Sequence, residues 1–243
     1  MISYRPLEGF AEYEAAVEVQ RRVWGFAEVE IVPSRLFLLA QKIGGQAIGA
    51  FAGERLIGFC LALPAIKRSG EVYLHSHMAA VVEEYQNQGV GRRLKLEQRA
   101  DALGRGIRLI EWTFDPLELR NAYFNIERLG VIVRRYVLNQ YGTTTSKLHA
   151  GMPTDRCVAE WFLDTPRTRA VLEGAPRRRE PVTARIAVPV EIALLRRQDV
   201  GRALEIQKSV SEQFLESFDR GLAVTGFERS EAFGTYLLSE WEP

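Results

Sequence analysis

The chain has 243 residues, 47% hydrophobic and 26% charged, a balance that fits a folded globular protein. No segment approaches the roughly 18–20 consecutive apolar residues that a membrane-spanning helix needs, and 32 basic against 31 acidic side chains leave a net charge of +1, without a basic footprint for nucleic acid. The amino terminus runs from Met-Ile-Ser-Tyr-Arg-Pro into an amphipathic pattern without the features of a secretion signal, so a cytoplasmic location with no membrane or nucleic-acid partner is expected.

In chain order, Met1 to Arg5 reads as a short strand and Phe10 to Val23 as a helix carrying Val17, Val19 and Val23. A second helix is predicted from about Pro33, where a missing amide donor is harmless, with Leu36, Leu39, Ala40 and Ile43 at helical spacing and Gly44-Gly45 closing it. Three strands follow, Gln46 to Ala52, Arg55 to Ile66 and Glu71 to Val82, joined by the short turns Gly53-Glu54 and Lys67 to Gly70. A glycine-containing turn leads into a helix over Gly91 to Leu103, with Val90, Leu94 and Ala100 inward and Arg92, Arg93 and Lys95 wet. Next come a central strand over Ile107 to Phe114, a helix over Leu117 to Leu129 and a strand over Val131 to Leu138.

Beyond a polar connection at Thr143 to Ser146, Cys157 to Leu163 is a strand candidate, and Arg167 to Pro181, with the run Arg177-Arg178-Arg179, reads as a charged linker. Arg185 to Ile192 resumes strand composition, Asp199 to Phe218 is helical, and Leu222 to Phe227 and Thr235 to Leu238 return to strand. Cys60 and Cys157 lie in apolar runs and read as small buried hydrophobes. The fold class that follows is α/β, a central mixed, mostly antiparallel sheet flanked by helices with a C-terminal α/β extension. Residues 1–150 are expected to form the core. Residues 151–243 would complete or cover it, or support a homodimer.

The turn between strand and helix is where chemistry concentrates. Glycines strip away side-chain bulk so that backbone N–H groups can converge on phosphate oxygens, and the start of the helix adds favourable charge. The run Gln86-Asn87-Gln88-Gly89-Val90-Gly91-Arg92-Arg93 lacks the lysine and hydroxyl of an ATP-binding loop. With the preceding apolar strand, it resembles the pyrophosphate-binding motif of the GCN5-related N-acetyltransferase (GNAT) superfamily. There a Gln or Arg, two variable residues, Gly, one variable residue and Gly or Ala recur, which maps to Gln86, Gly89 and Gly91. Ala122 to Val131 resembles the helix and turn that enclose the pantetheine arm, but Ile126 stands where many members carry a tyrosine acid. Leu119 replaces a frequent asparagine, with Asn121 and Asn125 close by. The full-length pattern is similar to a branch of larger predicted acyltransferases.

The resemblance implies acetyl-CoA or another short-chain acyl-CoA as the coenzyme, with no metal. It would be held by Gln86, Asn87, Gln88, Gly89, Val90, Gly91 and Arg92, by the strand backbone at Ala79 and Val81, and by Asn121 and Asn125. It implies direct transfer of an acetyl or other short acyl group to the amine of a small molecule or amino acid. A protein lysine or N-terminal amine is an alternative acceptor, and an acyl-CoA-binding sensor with weak catalysis is an alternative function. Glu111, in the central strand, is the candidate base or amine-positioning group. His77 and its neighbour His75, two apart on a strand, are candidates for acceptor binding or proton handling rather than a metal site, for which spacing identifies no third ligand and only distant residues such as His149 are open. Tyr123 and Tyr141 are candidate substitutes for the absent acid.

Overall fold

The computed structural model describes residues 1–142, 151–176 and 180–241. The polar connection expected at Thr143 to Ser146, His149 and the run Arg177-Arg178-Arg179 lie outside the described residues. Two compact units account for the chain, one over Met1–Glu111 and one over the described residues from Trp112 onward.

In the first unit, β1 (Ile2–Pro6), β2 (Gln46–Ala52), β3 (Arg55–Ile66) and β4 (Val72–Val81) lie side by side in sequence order, each antiparallel to the last. The start of β5 (Leu109–Phe114) joins β4 in parallel, with Leu74 opposite Ile110 and His75 opposite Glu111. The sheet is therefore mixed and mostly antiparallel, as expected. Helix α1 (Gly9–Trp24) ends at Gly25, whose φ of 61° lets its N–H reach Arg21 O at 3.0 Å. Buried Gln20 of α1 then behaves like a strand neighbour: its amide donates to Val32 O and accepts from Val32 N, at 3.0 and 2.9 Å. That pair fixes the approach to α2 (Ser34–Lys42), whose Phe37 packs edge-on against Phe59 of β3, with ring centroids 5.3 Å apart. Each such fully buried aromatic contributes about 2–3 kcal/mol of burial.

Two inward faces differ from the sequence expectation. In α2 the buried residues are Phe37 and Ala40, while Leu39 and Ile43 are about half exposed, because the contact with β3 runs through Phe37. In α3 (Val90–Gly104) the inner face carries Val90, Leu94, Lys95, Gln98 and Ala102, and Ala100 points outward. Lys95 is thus not wet. A serine on the facing strand, Ser76, accepts its ammonium proton at 2.7 Å and makes the burial tolerable.

In the second unit, β6 (Ile132–Val137), β7 (Arg156–Phe162), β8 (Ala184–Pro189), β9 (Leu222–Arg229) and β10 (Phe233–Glu240) form a sheet in the order β7-β6-β9-β10-β8. The C-terminal extension, which also carries α6 (Ile192–Gln198) and α7 (Val200–Asp219), thus adds its strands at the β6 edge. The expected strand at Arg185 to Ile192 ends at Pro189 and gives way to α6.

The expected linker at Arg167 to Pro181 begins instead as helix α5 (Pro166–Glu173). Thr165 caps it by accepting from Thr168 N, Pro166 takes the first position, and Gly174 closes it at φ 68°. The single helix expected over Leu117 to Leu129 is α4 (Leu119–Tyr123) followed by a wide π turn over Phe124–Arg128. In that turn Glu127 accepts the N–H of Phe227 at 2.8 Å, while Ile126 and Leu129 are fully buried.

Candidate coenzyme loop and acceptor carboxylate

β4 sets up the first half of the site. Its partners on β3 jump from Leu61–Met78 to Ala62–Ser76, which leaves His77 as the extra residue of a bulge. Beyond the bulge Ala79 pairs with Cys60 and Val81 with Gly58. A Cβ at Gly58 would lie 2.7 Å from Ala80 O, so glycine is required for this close approach. A single 3-10 turn over Glu83–Tyr85 follows, and then the exposed loop from Gln86 to Gly89.

The loop is tied to itself and to its unit. Gln86 Nε2 donates back to Val81 O at 2.9 Å, and Gln88 Nε2 to Glu84 O at 2.7 Å, so both side chains close the loop. Glu84 Oε1 receives Arg22 at 2.8 Å and Arg55 at 3.3 Å. The backbone bonds and those guanidinium groups hold its carboxyl below the usual carboxylate range. Asn87 and Gly89 adopt left-handed conformations, at φ 60° and 84°. Gly89 is the N-cap of α3, and no side chain caps that terminus. A Cβ built at Gly89 meets nothing within 4 Å, and one at Gly91 meets only Val81 Cγ2 at 3.8 Å. Open space over uncapped first-turn amides is what a pyrophosphate requires, so these residues fit the coenzyme. Arg92 is half buried, whereas exposed Arg93 pairs with Glu97 at 2.7 Å.

Beneath β4 a polar chain crosses the interior. Lys95 Nζ donates to Ser76 Oγ at 2.7 Å, Ser76 Oγ to Gln98 Oε1 at 3.2 Å, and Gln46 Nε2 to Gln98 O at 2.9 Å. Burial lowers the Lys95 pKa to about 8 and pushes the Cys60 thiol up to about 12. Nothing in the local sequence separates Lys95 from its neighbours, half-buried Arg92 and exposed Arg93. Only the helical phase set by Leu94 and Gln98 does so.

The second half of the site is Glu111. It lies in β5 with 4% exposure, beside His75 in register. Lys67, at the tip of the β3–β4 hairpin, brings its ammonium to 3.4 Å from Glu111 Oε1. The rings of His75 and His77 are 6.3 Å apart, so the predicted neighbours do meet. Burial lowers both pKa values, and for His75 the charges of His77 and Lys95 add to this while Glu111 opposes it. These imidazoles are therefore held toward the neutral form. Lys67 was absent from the sequence-derived candidates, because only the register of β3, β4 and β5 brings it to Glu111.

Asn121, Tyr123, Asn125 and Tyr141 belong to the second unit. Tyr123 lies under Arg229, whose Cζ is 5.4 Å from the ring centroid, and Asn125 is buried in the π turn. Tyr141 shares a hydrogen bond with Thr113 at 2.8 Å. The segment between β5 and α4 is clamped by the extension: Arg196 reaches Asp115 at 2.7 Å and Glu118 at 2.9 Å, and Tyr236 donates to Pro116 O at 2.6 Å. Among the described residues no group of three or more His, Cys, Asp and Glu is arranged to hold a metal ion, and no helix is long and apolar enough to cross a membrane.

Residues 13–130 match the model of the acetyltransferase (GNAT) family. No curated protein matches the chain. Among solved structures, the ribosomal-protein-S18-alanine N-acetyltransferase of Escherichia coli superimposes with a TM-score of 0.53 at 17% identity, over 68% of this chain and 96% of that one. Arabidopsis thaliana NAA60 in complex with acetyl-CoA gives 0.55 at 17%, over 67% and 98%. An acetyltransferase of the GNAT family from Streptococcus pneumoniae gives 0.52 at 14%, over 66% and 98%. At such identities the likeness shows the fold alone: the chain carries a GNAT-like fold, and within it residues 13–130 are similar to the acetyltransferase (GNAT) family.

Proposed function

We propose that the chain is an acyl-CoA-dependent N-acyltransferase that moves an acetyl or other short acyl group to the amine of a small molecule or amino acid. The observation that carries this reading is the glycine loop: uncapped amides at the start of α3, with open space at Gly89 and Gly91, following a bulged strand. The backbone from Gln88 to Gly91 would hold the pyrophosphate, and the backbone of β4 at Ala79 and Val81 would orient the arm. When bound, acyl-CoA supplies a thioester whose acyl group passes to nitrogen as the thiol leaves.

The chain's own contribution to the chemistry is a buried carboxylate. Glu111 receives the acceptor as an ammonium and takes its proton, since only the neutral amine is nucleophilic. His75 and His77, held toward the neutral form, are available to pass that proton on. Holding an amine at a fixed carboxylate also supplies proximity. Ile126 has no proton to give and is fully buried, which favours a second reading, a coenzyme-binding module with weak turnover.

One experiment separates them. Thiol release from acetyl-, propionyl- and succinyl-CoA is followed with and without a panel of primary amines, amino acids and peptides, with product masses recorded. Amine-dependent release with a matching acylated product supports the transferase. Saturable coenzyme binding without any acylated product supports the binding module. Transfer confined to peptides keeps the reaction and removes the small acceptor.

A further inference from the structure

Lys67 opens the turn between β3 and β4. The turn is closed by Lys67 N donating to Glu71 O and Gly70 N donating to Lys67 O, both at 2.9 Å, with Gly70 at φ 86°. The backbone of Lys67 is therefore fixed, while its four-carbon stem retains rotational freedom. Its ammonium lies between two carboxylates, 3.2 Å from Glu71 Oε2 and 3.4 Å from Glu111 Oε1. The two carboxylates differ sharply: the Glu71 side chain is 51% exposed and that of Glu111 5%. The Tyr73 ring lies 5.7 Å from the same nitrogen.

A carboxylate so withdrawn from water needs cationic company, because losing hydration without a partner is costly. If Glu111 receives the acceptor amine, a primary ammonium already stands where that amine must come. We infer that Lys67 is an internal occupant of the acceptor's ammonium position, and that it yields to substrate by keeping Glu71 and releasing Glu111. This inference rests on the reading of Glu111 given above.

The arrangement makes Lys67 a specificity-determining residue. Leaving Glu111 is offset only when the newcomer also carries a positive charge, so a primary ammonium displaces Lys67 and a neutral alcohol of the same shape does not. The apparent affinity for the amine is lowered by the fraction of molecules in which Lys67 holds the site. If Lys67 occupies it about ten times more often than not, the loss is about tenfold. Glu71 counteracts this by offering Lys67 a second, wetter partner.

The test uses the full chain with acetyl-CoA and n-butylamine as the probe amine. Lys67→Met keeps length and removes charge, and is expected to lower the KM for n-butylamine about tenfold while leaving the KM for acetyl-CoA unchanged. Lys67→Arg keeps the charge and should remain within about threefold of the parent. Glu71→Gln removes the alternative partner and should raise the amine KM about two- to fivefold. Binding of n-butylammonium by calorimetry, in the presence of CoA, reads the same competition without turnover. Tighter binding by Lys67→Met alongside a parent that transfers to no amine would uphold the occupant and defeat the transferase. Equal amine binding by the parent and a folded Lys67→Met protein would overturn the occupant, whatever the transferase does. Should Lys67→Met fail to fold, the opposite shift expected of Glu71→Gln still decides the question.

Discussion

The proposed coenzyme loop and the proposed acceptor carboxylate are built from different materials. From Gln86 to Gly91 the useful groups are backbone amides. Their placement follows from two left-handed residues, an uncapped helix and side chains of Gln86 and Gln88 that fold back on the loop itself. Around Glu111 they are side chains from β4, β5 and a hairpin tip, brought together by strand register. A backbone-built site tolerates change in side-chain identity but not in bulk. A side-chain-built site tolerates bulk at its rim but not a change in charge.

The largest effect should come from changing charge alone at the second site. Glu111→Gln is expected to lower kcat for amine acylation by about 100-fold or more, with acetyl-CoA affinity within about twofold, because an amide cannot take the amine proton. Rate against pH checks it: loss at every pH with unchanged coenzyme binding supports the role. A parent-like profile would remove Glu111 from the chemistry.

A smaller effect concerns the buried lysine behind β4, a side-chain feature inside the backbone-built half. Its pKa is about 8 in the folded chain against an ordinary 10.5, so between these values the unfolded chain binds more protons and folding stability must rise with pH. Below pH 8 the cost of burying the charge is present in full. Lys95→Met removes this dependence, and the stability of the parent relative to the variant should climb by about 1–3 kcal/mol from pH 8 to pH 10.5. Cys60, whose thiol is held up to about 12, is common to both proteins and cancels in the difference. Urea unfolding of both proteins across this range measures it. A flat difference would mean that Lys95 is not buried as a cation.

What the sequence disclosed follows the same division. β2 and β3 match the predicted bounds residue for residue, and the glycine loop falls where expected between β4 and α3, because apolar runs bounded by short turns are local signals. The burial of Lys95 was hidden, since its neighbours in sequence are exposed or half-buried arginines and its partner Ser76 lies 19 positions away. The bulge at His77 and the Lys67–Glu111 contact depend on pairing between strands, which no single segment records. α5 was legible in principle, through Thr165, Pro166 and Gly174, but its arginines and prolines masked those caps. The π turn has no comparable local cue, as its Glu127 bonds to Phe227, 100 residues away.

The start of α3 is the proposed seat of the coenzyme. Gly91 is the better probe than Gly89, because it needs no left-handed backbone and a side chain there meets only Val81 at its base, so bulk can be added without backbone strain. Calorimetric titration of acetyl-CoA into the parent, Gly91→Phe and Glu111→Gln tests the claim directly. The expected result is parent-like binding by Glu111→Gln and a loss of about tenfold or more by a Gly91→Phe protein whose melting temperature is close to the parent's. Parent-like affinity in folded Gly91→Phe would place the coenzyme elsewhere and contradict the account.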